Sequence, residues 1–377
     1  MGTKNQVLVL TALAWAASAA PGPASYPHPR GYVAIRAATP PAIDGRLDDA
    51  AWREAPWTDD FADMADPASS PGPRTRVKMT WDEANLYIAA DIAETRLWAE
   101  MTQHDSPLYL ENAFEFFIDP DGDNHEYYEF EINALNTTWD LLLPRPYRDG
   151  GRGISNWEIA GLRSAVHLDG TLNNPSDTDR GWSIEIAVPW KALGELARRD
   201  APPRAGEQWR MNFTRVATSL RVENGRYRKV EGQPSQVSSW TPQHVMDIHR
   251  PETWGYVQFE RSPGTFVPDR AWPARRFLQA VYYAEQDFRK THGRWTGSLA
   301  ELGLDAPADV TLRNPTIETT ADLFEAAIDL QTASGVERWK IRTDSLVWTS
   351  GAARPAPPRG ESARTQSLGE GRRKEKD

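Results

Sequence analysis

The chain has 377 residues, no cysteine and a formal net charge of −10 at pH 7. This length suffices for one large domain or two modest domains, each with its own core. The acidic balance argues against nucleic acid or an anionic membrane as the main partner, and the absence of cysteine excludes a disulfide framework and a lipoprotein anchor.

The first 19 residues have the pattern of a secretory signal peptide. Lys4 precedes a short apolar run, and small residues follow it up to Ala19. This run is too short to span a membrane, and no later stretch reaches about 18 consecutive apolar residues. We therefore expect a secreted or periplasmic protein without membrane insertion, cleaved near Ala19, with a Pro-rich linker over residues 20–31.

Residues 32–262 are predicted to form an all-β, antiparallel, jelly-roll-like β-sandwich. Apolar residues alternate with polar ones, and turn residues recur every few positions, which favours many short strands. In the segment GWSIEIAVPW, for example, Trp182, Ile184 and Ile186 share a face that should be buried, and Glu185 points the other way. Strands are predicted near Val33–Arg36, Arg76–Trp81, Leu86–Ala93, Ala113–Ile118, Tyr127–Asn133, Trp139–Leu143, Glu158–Val166, Trp182–Val188, Trp209–Val216 and Trp254–Glu260.

A small α+β unit is predicted over residues 263–350. Apolar residues recur at helical spacing from Phe277 to Phe288, and the helix should end near Gly293. Two alternating segments joined by a Gly-containing turn follow as strands. The tail, residues 351–377, is rich in Pro, Arg, Gly and Glu, and we expect it to be disordered.

A hairpin near the middle of the chain has the sequence ENAFEFFIDPDGDNHEYYEFEIN. Its alternation predicts an apolar core face and an opposite, exposed face that carries Glu115, Glu129 and Glu131, with Glu115 across from one of the other two. Like charges opposite each other destabilise a sheet. Three compensations are open: neighbouring arginines such as Arg210 and Arg215, a bound cation, or a ligand whose hydroxyl groups donate to the carboxylates.

Two of these carboxyl groups could instead act chemically. Glu115 with Glu129 or Glu131 has the spacing of a glycoside hydrolase acid and nucleophile, because adjacent strands place carboxyl groups about 5–10 Å apart. The sequence shows no HExxH, GxSxG or P-loop motif. Hydrolysis of O-glycosyl compounds therefore stands as an alternative to binding without catalysis.

The turn of this hairpin, DPDGDNHE, is a candidate calcium site. Asp119, Asp121 and Asp123 supply three carboxylates, but glycine is at the fourth position, whereas an EF-hand loop has it at the sixth. Asp, Asn and Gly are also the usual residues of tight hairpin turns. Calcium held through a non-standard loop and a plain turn both remain open.

The chain is rich in tryptophan, with 16 residues. Most should fill the core, but aromatic rings at a surface stack on the apolar faces of sugars, and carboxylates or amides beside them bind sugar hydroxyls. An aromatic and acidic sheet surface is therefore typical of a saccharide site.

Several motifs, taken in order, resemble carbohydrate-binding module family 9, in particular its secreted family 9-like branch. The similar stretches are PPAIDGRLDDAAW, VKMTWDEANLYIAADI, ENAFEFFIDPDGDNHEYYEFEINALNTTWDL, GWSIEIAVPWKAL, GEQWRMNFTRV and SSWTPQ…HRPETWGYVQF. They cover residues 40 to about 260. The resemblance implies a β-sandwich that binds sugars and carries structural calcium.

The resemblance also implies roles for individual residues. Tyr109 stands where the family has an aromatic residue of the sugar site, and Glu115 stands at its acidic sugar ligand. The chain departs from the family at two positions: Glu131 occupies the place of an arginine, and Ile248 occupies the place of the second aromatic residue, with His249 beside it.

We therefore expect a secreted protein that binds an oligo- or polysaccharide in carbohydrate catabolism and does not cleave it. Tyr109 would stack on the sugar and Glu115 would accept hydrogen bonds from its hydroxyls. The same region would be lined by Glu131, Asn133, Trp139 and His249. A cell-envelope structural or assembly module remains a further alternative.

Overall fold

A computed structural model describes residues 26–198 and 200–350. The expected signal peptide over residues 1–19, the first part of the linker and the tail over residues 351–377 lie outside the described residues. Within the described ranges, no helix is long and apolar enough to cross a membrane.

The secondary structure is dominated by strands. In chain order, the first part contains β1 (Gly31–Arg36), α1 (Ala50–Glu54), β2 (Ala62–Asp63), β3 (Thr75–Trp81), β4 (Asn85–Ala93), β5 (Ala113–Asp119), β6 (Tyr127–Ile132), β7 (Thr138–Leu143), β8 (Arg163–Asp169), β9 (Gly181–Pro189), α2 (Trp190–Leu193), β10 (Gln208–Ala217), β11 (Leu220–Glu223), β12 (Arg226–Lys229), β13 (Gln236–Ser239) and β14 (Gly255–Glu260). The second part contains α3 (Trp272–His292), β15 (Leu312–Thr319), β16 (Phe324–Thr332), β17 (Gly335–Arg342) and β18 (Val347–Thr349). Short 3₁₀ helices lie at Leu108–Leu110, Tyr147–Asp149 and Pro251–Thr253.

The main sheet has the strand order β7-β6-β5-β10-β14-β1-β3-β4-β9-β8, and β13 and β2 extend it beside β10. It curls so that its two halves pack face to face over one core, which confirms the predicted β-sandwich. Trp81, Ile88, Phe116, Phe130 and Trp209 are buried together in that core. The strand pairs of this sheet are antiparallel as predicted, except that β1 runs parallel to both β14 and β3.

The predicted strand near Glu158–Val166 begins later than expected, since β8 starts at Arg163. Gly161 has a left-handed φ of +83°, which ends extended pairing and turns the chain into β8. The short strands β2, β11, β12 and β13 were not predicted, because segments of two to four residues carry too little alternation to detect.

Glu185, which the alternation of β9 placed opposite the apolar face, is completely buried. Its Oε2 accepts the backbone N–H groups of Asp44 (2.8 Å) and Gly45 (2.7 Å), and its Oε1 accepts the indole N–H of Trp52 at 2.5 Å. The expectation of an outward-facing residue was wrong because the segment that leads into α1 folds over this side of β9. Glu185 therefore fastens that segment to the sheet.

We expect Glu185→Gln to destabilise the protein by about 1 to 2 kcal/mol, because an amide NH₂ would face N–H donors that the carboxylate now satisfies. Glu195→Gln is the matched control: Glu195 also accepts an indole N–H, from Trp157, but in an exposed position. Urea denaturation at neutral pH measures both variants. Equal stability of Glu185→Gln and the parent chain would contradict the fastening role.

The C-terminal unit packs α3 against a four-stranded sheet of order β15-β16-β17-β18 around its own buried cluster. The predicted helix is confirmed, and it ends at Gly293, whose φ is +69°. The turn between β5 and β6 docks onto this unit: Val347 N–H donates to the carbonyl of Asp123 (3.0 Å), and Asn124 Nδ2 donates to that of Ser345 (2.9 Å).

Candidate functional site

Three glutamates share one face of the sandwich at the sheet formed by β5, β6 and β10. Glu115 lies directly opposite Glu131 in the β5–β6 ladder, and Glu129 lies opposite Phe117 one step along the same face. On the other side of β5, Thr214 pairs with Glu115 and donates its hydroxyl to the carboxylate. We refer to Glu115, Glu129 and Glu131 as the glutamate cluster. The register thus settles which residue faces Glu115.

The expectation that this face is exposed was wrong. The relative exposures of Glu115, Glu129 and Glu131 are 2%, 5% and 1%. The reason lies in the alternation itself, which also places aromatic side chains on this face. They form a second apolar cluster that closes over it. This cluster contains Phe117, Tyr127, Leu141, Leu143 and Trp254, with Trp139 and Ile248 packed against it.

The arginines considered as partners of these carboxylates bind elsewhere. Arg210 donates to the backbone carbonyls of Glu252 and Trp254, and Arg215 forms its ion pair with Glu94. The explanation of an acidic face neutralised by neighbouring arginines is therefore wrong for these two residues.

Burial is the largest influence on the pKa values of the glutamate cluster. Burial raises the pKa of Glu115 to about 7, and the Thr214 hydroxyl opposes this shift. The pKa values of Glu129 and Glu131 are raised well above their usual range, first by burial and then by the charge of Glu115. Among the residues that the structure describes, none donates a hydrogen bond to Oε2 of Glu131, although this atom is buried.

Aromatic rings line the edge of this face. Tyr109, which is 50% exposed, lies with its ring centroid 5.9 Å from that of Trp139 at an angle of 32°. Its backbone N–H donates to the Glu131 carboxylate. Tyr147, which is 47% exposed, stands perpendicular to His249 at 4.6 Å. We call Tyr109, Trp139, Tyr147 and His249 the aromatic rim.

Tyr147 was not predicted from the sequence. It follows a Pro-Arg-Pro segment with no alternation, and it belongs to the 3₁₀ helix Tyr147–Asp149 rather than to a strand. Its position near the glutamate cluster shows in its pKa, which is raised to about 12 by burial and then by Glu129 and Glu131. The only signal in the sequence for a role of Tyr147 in the site was an aromatic residue within a Gly/Pro-rich loop.

The two remaining predicted site residues have partners inside the chain. The amide of Asn133 donates to the carboxylate of Glu111 (2.6 Å) and to the Met101 carbonyl, and its oxygen accepts the N–H groups of Leu135 and Thr137. These contacts fix the turn before β7. His249 shares a hydrogen bond with the Tyr127 hydroxyl at 3.1 Å, and burial lowers its pKa to about 4, so the ring is neutral near pH 7.

The three aspartates of the predicted calcium turn come together, with one oxygen of each within 4.8 Å of the others. Their oxygens are used within the chain, however. Asp119 accepts the N–H groups of Gly122 and Asn124, and Asp123 accepts that of His125 and pairs with Arg198 at 3.4 Å. These contacts hold the turn, and Arg198 places a positive charge beside it.

A family model described as "Carbohydrate family 9 binding domain-like" matches residues 43–201, which run from the segment before α1 to just beyond α2. Two curated relatives match over 153 residues, or 41% of the chain. They are "Exoglucanase XynX" of Acetivibrio thermocellus, at 28% identity, and "Endo-1,4-beta-xylanase A" of Thermoanaerobacterium saccharolyticum, at 27% identity. The match spans only 12% and 11% of the length of these relatives.

Two similar solved structures are complexes of a family 9 carbohydrate-binding module from Caldicellulosiruptor kristjanssonii. The complex with cellotriose is 15% identical, with a TM-score of 0.41, and covers 64% of this chain and 99% of the module. The complex with glucose is 14% identical, with a TM-score of 0.40, and covers 63% and 100%. The segment 43–201 of the chain is thus similar to the carbohydrate family 9 binding domain-like family.

Proposed function

We propose that the protein binds a saccharide at the aromatic rim and the glutamate cluster, and that it does so without cleaving the sugar. One observation carries this proposal: exposed rings stand at the edge of a group of carboxyl groups that lack a cationic partner among the described residues. Tyr109 and Tyr147 offer their faces to the apolar side of a sugar ring. The Glu131 carboxyl, which accepts a hydrogen bond from the backbone of Tyr109, is buried and would accept hydroxyl groups of the sugar once the side chains at the rim make room for them.

The family match over residues 43–201 supports this proposal at the level of carbohydrate binding. The matched segment supplies β5, β6, β7 and the 3₁₀ helix of Tyr147, and therefore both the glutamate cluster and most of the rim. The departures at Glu131 and Ile248 lie in this same site, so the chain would bind its sugar with Tyr147 and His249 in place of a second stacking ring. A role in carbohydrate catabolism fits the names of the two relatives.

Hydrolysis is a poorer fit than binding. A glycoside hydrolase needs one carboxyl group that stays ionised and a second that stays protonated. Here burial raises the pKa of all three members of the glutamate cluster, and among the described residues no lysine, arginine or histidine forms an ion pair with any of them. Calcium at Asp119, Asp121 and Asp123 has no part in this proposal, because the turn is stabilised by its own amides and by Arg198.

Tyr109→Ala should weaken saccharide binding at least about ten-fold, equivalent to about 1.4 kcal/mol, because it removes an exposed stacking ring without disturbing a buried contact. Isothermal titration with glucose, cello-oligosaccharides and xylo-oligosaccharides measures the loss. Leu323→Ala, which removes another large exposed side chain far along the sequence, is the matched control and should bind as the parent does.

Three outcomes would decide against the proposal. Absence of binding to every sugar of the panel removes its basis, and equal affinity of Tyr109→Ala and the parent moves the site elsewhere. New reducing ends in mixtures of the sugars with the pure parent chain would favour the hydrolase alternative instead.

A further inference from the structure

Four side chains with metal-ligating atoms meet beside the edge strand β7, on the side away from the glutamate cluster. Nε2 of His104 lies 3.0 Å from Oε1 of Glu158, 3.4 Å from Oδ1 of Asp105 and 3.8 Å from Oδ1 of Asp140. One ligand atom from each residue lies within 4.8 Å of all the others. The four residues come from three segments: the loop before Leu108–Leu110, the edge strand β7, and the turn before β8.

The orientation of the His104 ring is fixed by its other nitrogen. Nδ1 lies 2.9 Å from the carbonyl oxygen of Thr138, which only accepts hydrogen bonds, so Nδ1 carries a proton. When a metal ion displaces any proton from Nε2, the lone pair of Nε2 faces the three carboxylates. A histidine that donates through one nitrogen to a backbone carbonyl and points the other at carboxylates has the arrangement of a metal ligand with its supporting hydrogen bond.

Two oxygens in this group lack hydrogen-bond partners in the part of the chain that the structure describes. The Asp140 side chain is only 6% exposed, and although its Oδ2 accepts the N–H of Ile159, its Oδ1 accepts none and is directed at His104. Oδ1 of Asp105 is buried without a partner. Among the described residues, the ion pairs of these three carboxylates involve His104 alone. Three negative charges are therefore matched by at most one positive charge.

We propose that His104, Asp105, Asp140 and Glu158 form a binding site for a divalent transition-metal cation, with zinc as its representative. Ligands about 2.0–2.1 Å from a tetrahedral zinc ion lie about 3.3 Å from one another, close to the separations of 3.0, 3.4 and 3.8 Å found around Nε2. An imidazole nitrogen in the set favours zinc over calcium, which takes oxygen ligands.

The bound ion would join the loop that carries Tyr109 to the edge strand and to the turn before β8. A hydrogen bond from the N–H of Asp105 to the carbonyl of Thr138 (3.0 Å) already links loop and strand. Since β7 ends the sheet and is held by β6 and by the single bridge between Leu142 and Ile154, a metal at this place would add a further link at the edge of the sheet.

Equilibrium dialysis of the metal-free, tag-free full-length chain against ZnCl₂, followed by elemental analysis, tests the site. We expect one zinc ion per chain and a higher thermal unfolding temperature with zinc than with chelator. His104→Ala and Asp140→Asn should each lower the zinc affinity by at least about ten-fold. His167→Ala, which removes a histidine from β8, is the control and should bind as the parent does. With cobalt(II), the parent should give the visible spectrum of a four-coordinate ion and His104→Ala should not.

The two ligand variants should fold, because His104 is about half exposed and Asp140→Asn keeps a side-chain oxygen that accepts the N–H of Ile159. Equal unfolding temperatures of parent and variants in chelator confirm this. Absence of zinc uptake would show that the four residues form only an imidazolium ion pair. Uptake that persists in His104→Ala would place the metal elsewhere. Either result overturns the proposal.

Discussion

Replacement of Glu115 by glutamine is expected to stabilise the protein by about 3 kcal/mol near pH 8 and to change its stability little near pH 4. Burial raises the pKa of Glu115 from 4.5 to about 7 in the folded chain. Glutamine keeps an oxygen that accepts the Thr214 hydroxyl, but it has no charge to bury. The variant also removes the repulsion between Glu115 and Glu131, which face each other across two strands.

The direction in which the stability of the parent changes with pH follows from proton binding by Glu115. Below about pH 4, Glu115 is protonated in both the folded and the unfolded chain, and it contributes no pH dependence. Between 4.5 and about 7, the folded chain keeps the proton that the unfolded chain loses, so the stability of the parent falls as the pH rises. Above about pH 7 the full cost of a buried carboxylate is present, and only the parent bears it.

Urea denaturation of the parent and of Glu115→Gln at both pH values measures this difference. Comparing the two chains cancels the titration of all other groups. Glu223→Gln, at an exposed position in β11, is the matched control and should follow the parent at both pH values. A stability difference between parent and Glu115→Gln that is the same at both pH values would mean that Glu115 is not an uncompensated buried acid.

The sequence allowed the sandwich to be predicted because each strand buries one face, so that apolar residues recur at every second position. In β5, Phe114, Phe116 and Ile118 recur with period two and lie in the core as expected. The terminal helix was equally accessible, since its apolar spacing and its glycine end are local features. Strands and helices, which depend on residues near one another in the chain, were therefore predicted well.

The candidate site depends on contacts between distant segments, and there the prediction was incomplete. Alternation separated Glu115 from the core, but it could not show that Trp254 and Ile248 close over the same face from more than 120 positions away. Nor could it show that Arg210, on a strand far along the chain from Glu115, turns to backbone carbonyls instead. The parallel position of β1 between β14 and β3 was hidden for the same reason.

Arg148→Met is expected to destabilise the protein by about 3 to 5 kcal/mol, because it leaves a buried carboxylate without its cation. Nη2 of Arg148 lies 2.9 Å from Oε2 of Glu252, and Nη1 donates to the carbonyl of His249 at 2.7 Å. The side chains of Arg148 and Glu252 are only 17% and 10% exposed. Tyr283 of α3 donates its hydroxyl to the same glutamate. The pair therefore joins the 3₁₀ helix that carries Tyr147 to the loop of His249 and to the C-terminal unit.

A double-mutant cycle separates this pair from general packing. Arg148→Met with Glu252→Gln removes both charges, so the double variant should be more stable, by about 2 kcal/mol, than the sum of the single effects predicts. Arg145→Met is the matched control, because Arg145 is 44% exposed, lies 3.7 Å from Asp344 and should lose no measurable stability. Chemical denaturation of the four chains of the cycle and of the control supplies the values. Strictly additive effects would show that Arg148 and Glu252 are not coupled, and Arg148 would then act through its hydrogen bond to His249 and its packing rather than through the ion pair.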